Sequence, residues 1–177
     1  MTSNENEEIK VINNWDDYDL REDILRGIYS YGFENPSQIQ KTAILPIIEK
    51  RDVIAQAPSG TGKTGTFSIA SLQRVNVEEN KTQVLILAPT HELVKQISEV
   101  ITSIGTSINN LKIKTLIGGT SVIDDAEELK KNVPHIIIGS VGRVSDMIRR
   151  RNIKTFDIKL FVLDEADEML SVGFKEQ

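Results

Sequence analysis

Two hydrophobic periodicities alternate along the chain. Short, nearly continuous apolar runs stand at 52–56, 84–88, 113–117, 136–138 and 160–163. Runs of that length, rich in Val, Ile and Leu, predict parallel strands buried on both faces. Between them apolar residues recur at helical spacing: Leu93, Ile97, Val100 and Ile104; Val122, Ala126 and Leu129; Val144, Met147 and Ile148. Upstream, Asp19 and Glu22 have the spacing of a capping box before Ile24, Leu25 and Ile28, and Gly32 is placed to stop that helix. Ser37 opens a second predicted helix that runs to Lys50. Strands alternating with helices through short turns predict an α/β fold, a doubly wound and mostly parallel sheet. No internal repeat is present.

Chemistry enters between the first predicted strand and the amphipathic stretch 67–72. The linking residues are Ala57-Pro58-Ser59-Gly60-Thr61-Gly62-Lys63-Thr64. Strand, glycine-rich turn and helix, with Lys-Thr at the helix start, is the geometry a nucleoside triphosphate needs. Backbone N–H groups of Ser59, Gly60, Thr61 and Gly62 can close around phosphate oxygens, and the helix N-terminus adds partial positive charge. Lys63 would reach the β- and γ-phosphates, and the Thr64 hydroxyl would ligate Mg²⁺. Ala57 stands where the usual pattern has glycine.

The last apolar run empties into Asp164-Glu165-Ala166-Asp167. Carboxylates at the C-terminal end of a buried parallel strand lie where such sheets bind ligands. Asp164 is then the second anchor for Mg²⁺, and Glu165 can orient or deprotonate the attacking water.

Composition narrows the setting. The 177 residues suit one domain with a real core, and the absence of cysteine excludes disulfides and a thiolate nucleophile. No apolar run approaches the roughly 18 residues of a membrane span, and the polar, acidic N-terminus is unlike a signal peptide. The net charge of -5 argues against a strongly electrostatic nucleic-acid binder. The charge is uneven: residues 1–23 carry eight acids and two bases, the remainder 18 acids and 19 bases. Residues 1–14 read as a flexible acidic arm ahead of a near-neutral body.

Asp164 to Asp167 spells DEAD, and with the phosphate loop the chain resembles the first RecA-like domain of DEAD-box RNA helicases, most closely the translation initiation factor 4A group. The resemblance covers about residues 12–177. Segment 32–40, GFENPSQIQ, is similar to the family's Q motif; this implies that Gln40 reads the adenine edge and that Phe33 stacks on the ring. Trp15 stands at the place of an upstream family aromatic. Pro89-Thr90-His91-Glu92-Leu93, Gly118-Gly119 and Ser140-Val141-Gly142-Arg143 match the family's RNA-backbone motifs. The resemblance thus implies RNA contacts from Pro89, Thr90, His91, Gly119, Ser140, Gly142 and Arg143. It also implies ATP and Mg²⁺ as ligands, sequence-independent RNA binding, an initiation-factor scaffold as partner, and a cytoplasmic setting; no DNA or membrane role is expected. A nuclear, splicing-linked relative and a catalytically silent binding module stay open as alternatives.

Several of these residues have simpler roles available. Gln40 lies three residues after Ser37 and can complete a capping box. Thr90 and Ser140 precede helices as N-caps. Phe33 can be core, and Gly119 a tight turn. The family usually has Arg at His91 and Thr-Pro at Ser140-Val141, so the RNA grip is expected to be weaker than the nucleotide chemistry. Family members also continue past the position of Gln177 with a Ser-Ala-Thr strand and a second RecA-like domain. The expectation is therefore a domain over 15–177 that is incomplete at its C-terminus, with a gap between the phosphate-loop strand and the DEAD strand.

Overall fold

The computed structural model describes residues 12–171. Seven helices and four strands follow in the order α1 (Glu22–Ser30), α2 (Gln38–Ile48), α3 (Lys63–Arg74), β1 (Val84–Ala88), α4 (His91–Ile104), β2 (Ile113–Leu116), α5 (Val122–Lys131), β3 (Ile136–Ser140), α6 (Val141–Arg149), β4 (Leu160–Leu163) and α7 (Ala166–Ser171). The strands form one parallel sheet in the order β2-β3-β1-β4. Both faces of the central strands β1 and β3 are covered. Val84, Ile86, Ala88, Ile136 and Ile138 join a core with α1 to α4, whereas Leu85, Leu87 and Ile137 join a second core with α5, α6 and α7. This is the two-sided burial that continuous apolar strands require. All C-terminal strand ends, and so every candidate site residue that follows a strand, lie along one edge of the sheet.

The structure corrects four readings of the pattern. Segment 52–56 is not a strand: no ladder reaches it, because the sheet ends at β4. Ile54 is fully exposed there, and Phe161 and Leu163 on β4 are partly exposed. An apolar run becomes a strand only when a neighbour pairs its backbone. The first helix is capped at Arg21, not Asp19. Gln73 decides this from a distance, accepting the Arg21 N–H at 3.1 Å and donating to the Asp19 carbonyl at 3.0 Å. Helix α3 is not amphipathic over 67–72; every residue from Gly65 to Leu72 is buried. The N-terminal arm is shorter than expected. Ile12 is buried and Trp15 sits in a single 3-10 turn inside the core, while residues 1–11 lie outside those described.

His135 ties the sheet together where β3 begins. Its backbone carbonyl accepts from Gln83 and Val84, its N–H donates to Lys112, and its Nδ1 accepts the Lys112 N–H at 3.1 Å. Burial, and then the neighbouring Lys112 charge, hold its pKa below the usual value. The unfolded chain therefore takes up this proton more readily than the folded one. His135 contributes full stability above about pH 6.5, the ordinary histidine value, and loses it as pH falls below that value. Thermal melting is expected to decline as pH drops from ~6.5 to ~5, and His135→Gln to melt lower throughout with a flatter dependence over that window.

Candidate nucleotide site and nucleic-acid edge

The loop over 57–62 enters α3 through Gly62, which sits at φ 102°, a left-handed conformation that favours glycine. A side chain at Gly62 would also press to 2.8 Å from Ser37 Oγ and 3.0 Å from Gln40 Nε2. Thr61 Oγ1 donates to the Pro58 carbonyl at 2.7 Å and closes the loop, while Ser59 and Gly60 stay exposed. Lys63 Nζ donates to the Ala57 carbonyl at 2.8 Å and lies 3.8 Å from Glu165 Oε1. The phosphate loop and the DEAD segment thus meet across the lysine, although 102 positions separate Lys63 from Glu165 in the sequence. Thr64 follows, half-buried in the first turn of α3.

Asp164 directly follows β4, with its N–H donating to the Leu87 carbonyl and the residue 9% exposed. Burial, and then the Glu165 charge beside it, push its carboxyl above the ordinary aspartate pKa; Lys63 offsets this only in part. Glu165 stands at φ 49°, a conformation uncommon for a residue with a side chain. No cluster of three or more His, Cys, Asp or Glu suited to a metal occurs among the described residues. Mg²⁺ binds through one or two carboxylates and takes its remaining ligands from phosphates and water. Asp164, a buried carboxylate only partly offset by the Lys63 charge, fits such an ion.

On the other side of the loop, Gln40 is 2% exposed. Its Oε1 accepts the Ser37 N–H at 2.7 Å, and its Nε2 donates to the Gly62 carbonyl at 3.4 Å. Gln40 therefore braces the phosphate loop against the start of α2. Phe33 is half-buried, stacked at 18° to Trp15 with centroids 6.3 Å apart and edge-on to Tyr31 at 4.8 Å. Gly65 was not among the candidate residues, yet this packing depends on it. A Cβ there would lie 2.7 Å from Gln40 Nε2 and 2.9 Å from Phe33. The only sequence signal was a glycine in the first turn of a helix, where alanine would be the better helix former.

The expected RNA residues gather at the ends of β1, β2 and β3. Thr90 caps α4, its Oγ1 accepting the Leu93 N–H at 3.2 Å, and Pro89 precedes it half-buried. His91 Nε2 accepts the Gly118 N–H at 3.2 Å. Through that bond His91 is a strut for the turn after β2. Ser140 precedes α6 without a side-chain cap bond, and Gly142 is exposed. Arg143 departs most from expectation. It is 9% exposed and turned inward, bonded to Asp125, to Thr120 Oγ1 at 2.8 Å and to the Thr120 carbonyl at 2.8 Å. Gly119, at φ 84°, is exposed in the turn that Arg143 holds. Asp125 was missed altogether. Burial would raise its pKa, but Lys114, Thr120 and Arg143 hold it below the ordinary value.

A parallel sheet with helices packed on both faces of its central strands, and a phosphate loop meeting the carboxylates after β4, defines a RecA-like nucleotide-binding domain. The chain belongs to the DEAD/DEAH box helicase family, whose model matches residues 37–177. It is 58% identical over 167 residues to an ATP-dependent RNA helicase eIF4A of Lodderomyces elongisporus, covering 94% of this chain and 42% of that relative. It is 53% identical over 168 residues to eukaryotic initiation factor 4A of Caenorhabditis elegans, covering 95% and 41%. The chain thus spans less than half the length of these relatives. Among solved structures, a DEAD box protein from Methanococcus jannaschii superposes with TM-score 0.87 at 35% identity, covering 94% of this chain and 45% of that one. A Saccharomyces cerevisiae Dbp5 variant bound to RNA and ADP BeF3 superposes with TM-score 0.81 at 36% identity, covering 93% and 41%.

Proposed function

We propose that this chain is the ATP-binding half of an ATP-dependent RNA helicase that serves translation initiation in the cytoplasm, holding RNA by its backbone without sequence preference. The observation that carries the reading is the meeting of Lys63 with Glu165 at 3.8 Å, which joins the phosphate loop to the DEAD segment. Lys63 now makes one carbonyl bond and one partly exposed ion pair, and exposed pairs are worth about 0–1 kcal/mol. A phosphate draws it away at little cost. Lys63 then stabilises the charge that spreads over the transferring phosphoryl oxygens, and Glu165, released from the lysine, positions the attacking water and accepts its proton. Mg²⁺, held by Thr64 and Asp164, would neutralise charge on the phosphates. No helix among the described residues is long and apolar enough to cross a membrane.

Adenine selection falls to Phe33 and Gln40. An amide offers two acceptor lone pairs and two N–H donors. Ser37 and Gly62 use one of each, which leaves one of each for the adenine edge. Guanine presents a carbonyl where adenine has an amino group, so it mismatches an amide held in this orientation. Two hydrogen bonds at about 0.5–1.5 kcal/mol each correspond to roughly tenfold or more in affinity. Equilibrium titration is expected to give that preference for ATP over GTP. Gln40→Ala should weaken both nucleotides, because Gly62 loses its brace, and should erase the preference. Equal affinities in the wild-type chain would remove the adenine-reading role.

A further inference from the structure

Asp125 is 6% exposed on α5, and its carboxylate joins four elements. Oδ1 takes Lys114 of β2 at 3.0 Å. Oδ2 takes Arg143 of α6 and lies 2.9 Å from Thr120 Oγ1 in the turn after β2. Arg143 in turn grips that turn twice, at the Thr120 carbonyl and hydroxyl. On its other side the same turn is held by His91 of α4, through the Gly118 N–H. The turn therefore hangs between the first turns of α4 and α6, fixed to each by side chains. Its Gly118-Gly119 pair would otherwise be free to sample many conformations, since glycine loses more conformational freedom on ordering than any other residue. A buried ion pair is poor evidence for stability, because packed apolar residues often do as well; its best-attested use is to fix register.

We propose that Asp125 is a positioning residue for RNA, acting through Arg143 and Thr120 to hold the Gly118-Gly119 turn in register with the N-termini of α4 and α6. The proposal rests on the RNA-binding reading of this edge. It makes a prediction of unusual sign. Removing an acid near a polyanion ordinarily tightens binding, and if Arg143 were itself bound to phosphate, freeing it would tighten binding further. Positioning demands the opposite.

The test uses this chain and a fluorescein-labelled oligouridylate of about 20 nucleotides, followed by anisotropy over a series of salt concentrations, with ATP affinity and thermal melting measured beside it. Asp125→Asn is expected to weaken RNA binding about fivefold or more and to lower the salt slope by about 0.7 for each phosphate the protein no longer neutralises, the value for a single strand. ATP affinity should stay within about twofold of wild type. Thr120→Val, at an exposed position, should weaken RNA binding in the same direction and by less; if Asp125→Asn does not fold, this variant decides alone. RNA binding by Asp125→Asn as tight as wild type, or tighter, overturns the proposal and leaves the RNA reading standing. A parallel loss of ATP affinity also overturns it, because the role is then general stability. A wild-type chain that binds no RNA overturns both.

Discussion

Lys63→Ala is expected to lower ATP affinity by roughly 10–10²-fold, while Glu165→Gln should bind ATP at close to wild-type strength and lose turnover. The difference follows from what each side chain meets. Lys63 lies inside the phosphate loop, 2.8 Å from the Ala57 carbonyl. Its exchange of that neutral acceptor for phosphate oxygens is charge-assisted, worth about 1.5–3 kcal/mol, or roughly 10–10² in affinity. Glu165 stands on the far side of the lysine, where its charge opposes phosphate and its use is on water. Loss of that charge costs binding nothing and can improve it, whereas a glutamine cannot accept the proton from water. Phosphate release under saturating ATP checks the second half of the pair. Equal turnover by wild type and Glu165→Gln would remove the base role from Glu165.

The largest effect on stability is expected from a residue remote from this chemistry. Gly27 on α1 faces the C-terminal end of α4, and a Cβ at that position would lie 1.8 Å from the Ile104 carbonyl oxygen. No rotamer change relieves a clash with backbone. Either α1 lifts off α4, exposing Ile24 and Ile28, or the last turn of α4 unwinds. Overpacking of this kind costs typically about 1–3 kcal/mol and occasionally more, against a total stability of only about 5–15 kcal/mol. A clash this close with backbone belongs at the upper end of the overpacking range, about 3 kcal/mol; alanine is the better helix former by about 1 kcal/mol, so the net loss is about 2 kcal/mol and Gly27→Ala should lower the melting temperature by roughly 4–8 °C, at roughly 2–4 °C per kcal/mol for a chain of this size. Melting at or above wild type would contradict the packing of α1 on α4.

What the sequence made legible was the local part of the design. The runs at 84–88 and 160–163 match β1 and β4 at both ends, because each run is apolar, short and flanked by turn residues. The phosphate loop and DEAD segment were readable because each packs its chemistry into a few consecutive residues. What escaped was set by distant partners. Gln73 moved the cap of α1 to Arg21, and only a neighbouring ladder could have made 52–56 a strand. Arg143 looked like a cation for RNA, since nothing near it in sequence announces that Asp125 and Thr120 will occupy it. Asp125 lies in the acidic stretch 124–128. One sign was available: it falls at helical spacing among Val122, Ala126 and Leu129, on the face that turns inward. A charge on an apolar stripe asks for a buried partner.

The central claim is that Lys63 and the DEAD segment form one ATP site. Its most direct measurement is an equilibrium titration of ATP with Mg²⁺ into wild type, Lys63→Ala and Glu165→Gln side by side, each first confirmed as folded. The account predicts binding by wild type and Glu165→Gln at similar strength, with Lys63→Ala weaker by roughly 10–10²-fold. Equal ATP affinity in wild type and Lys63→Ala would contradict it.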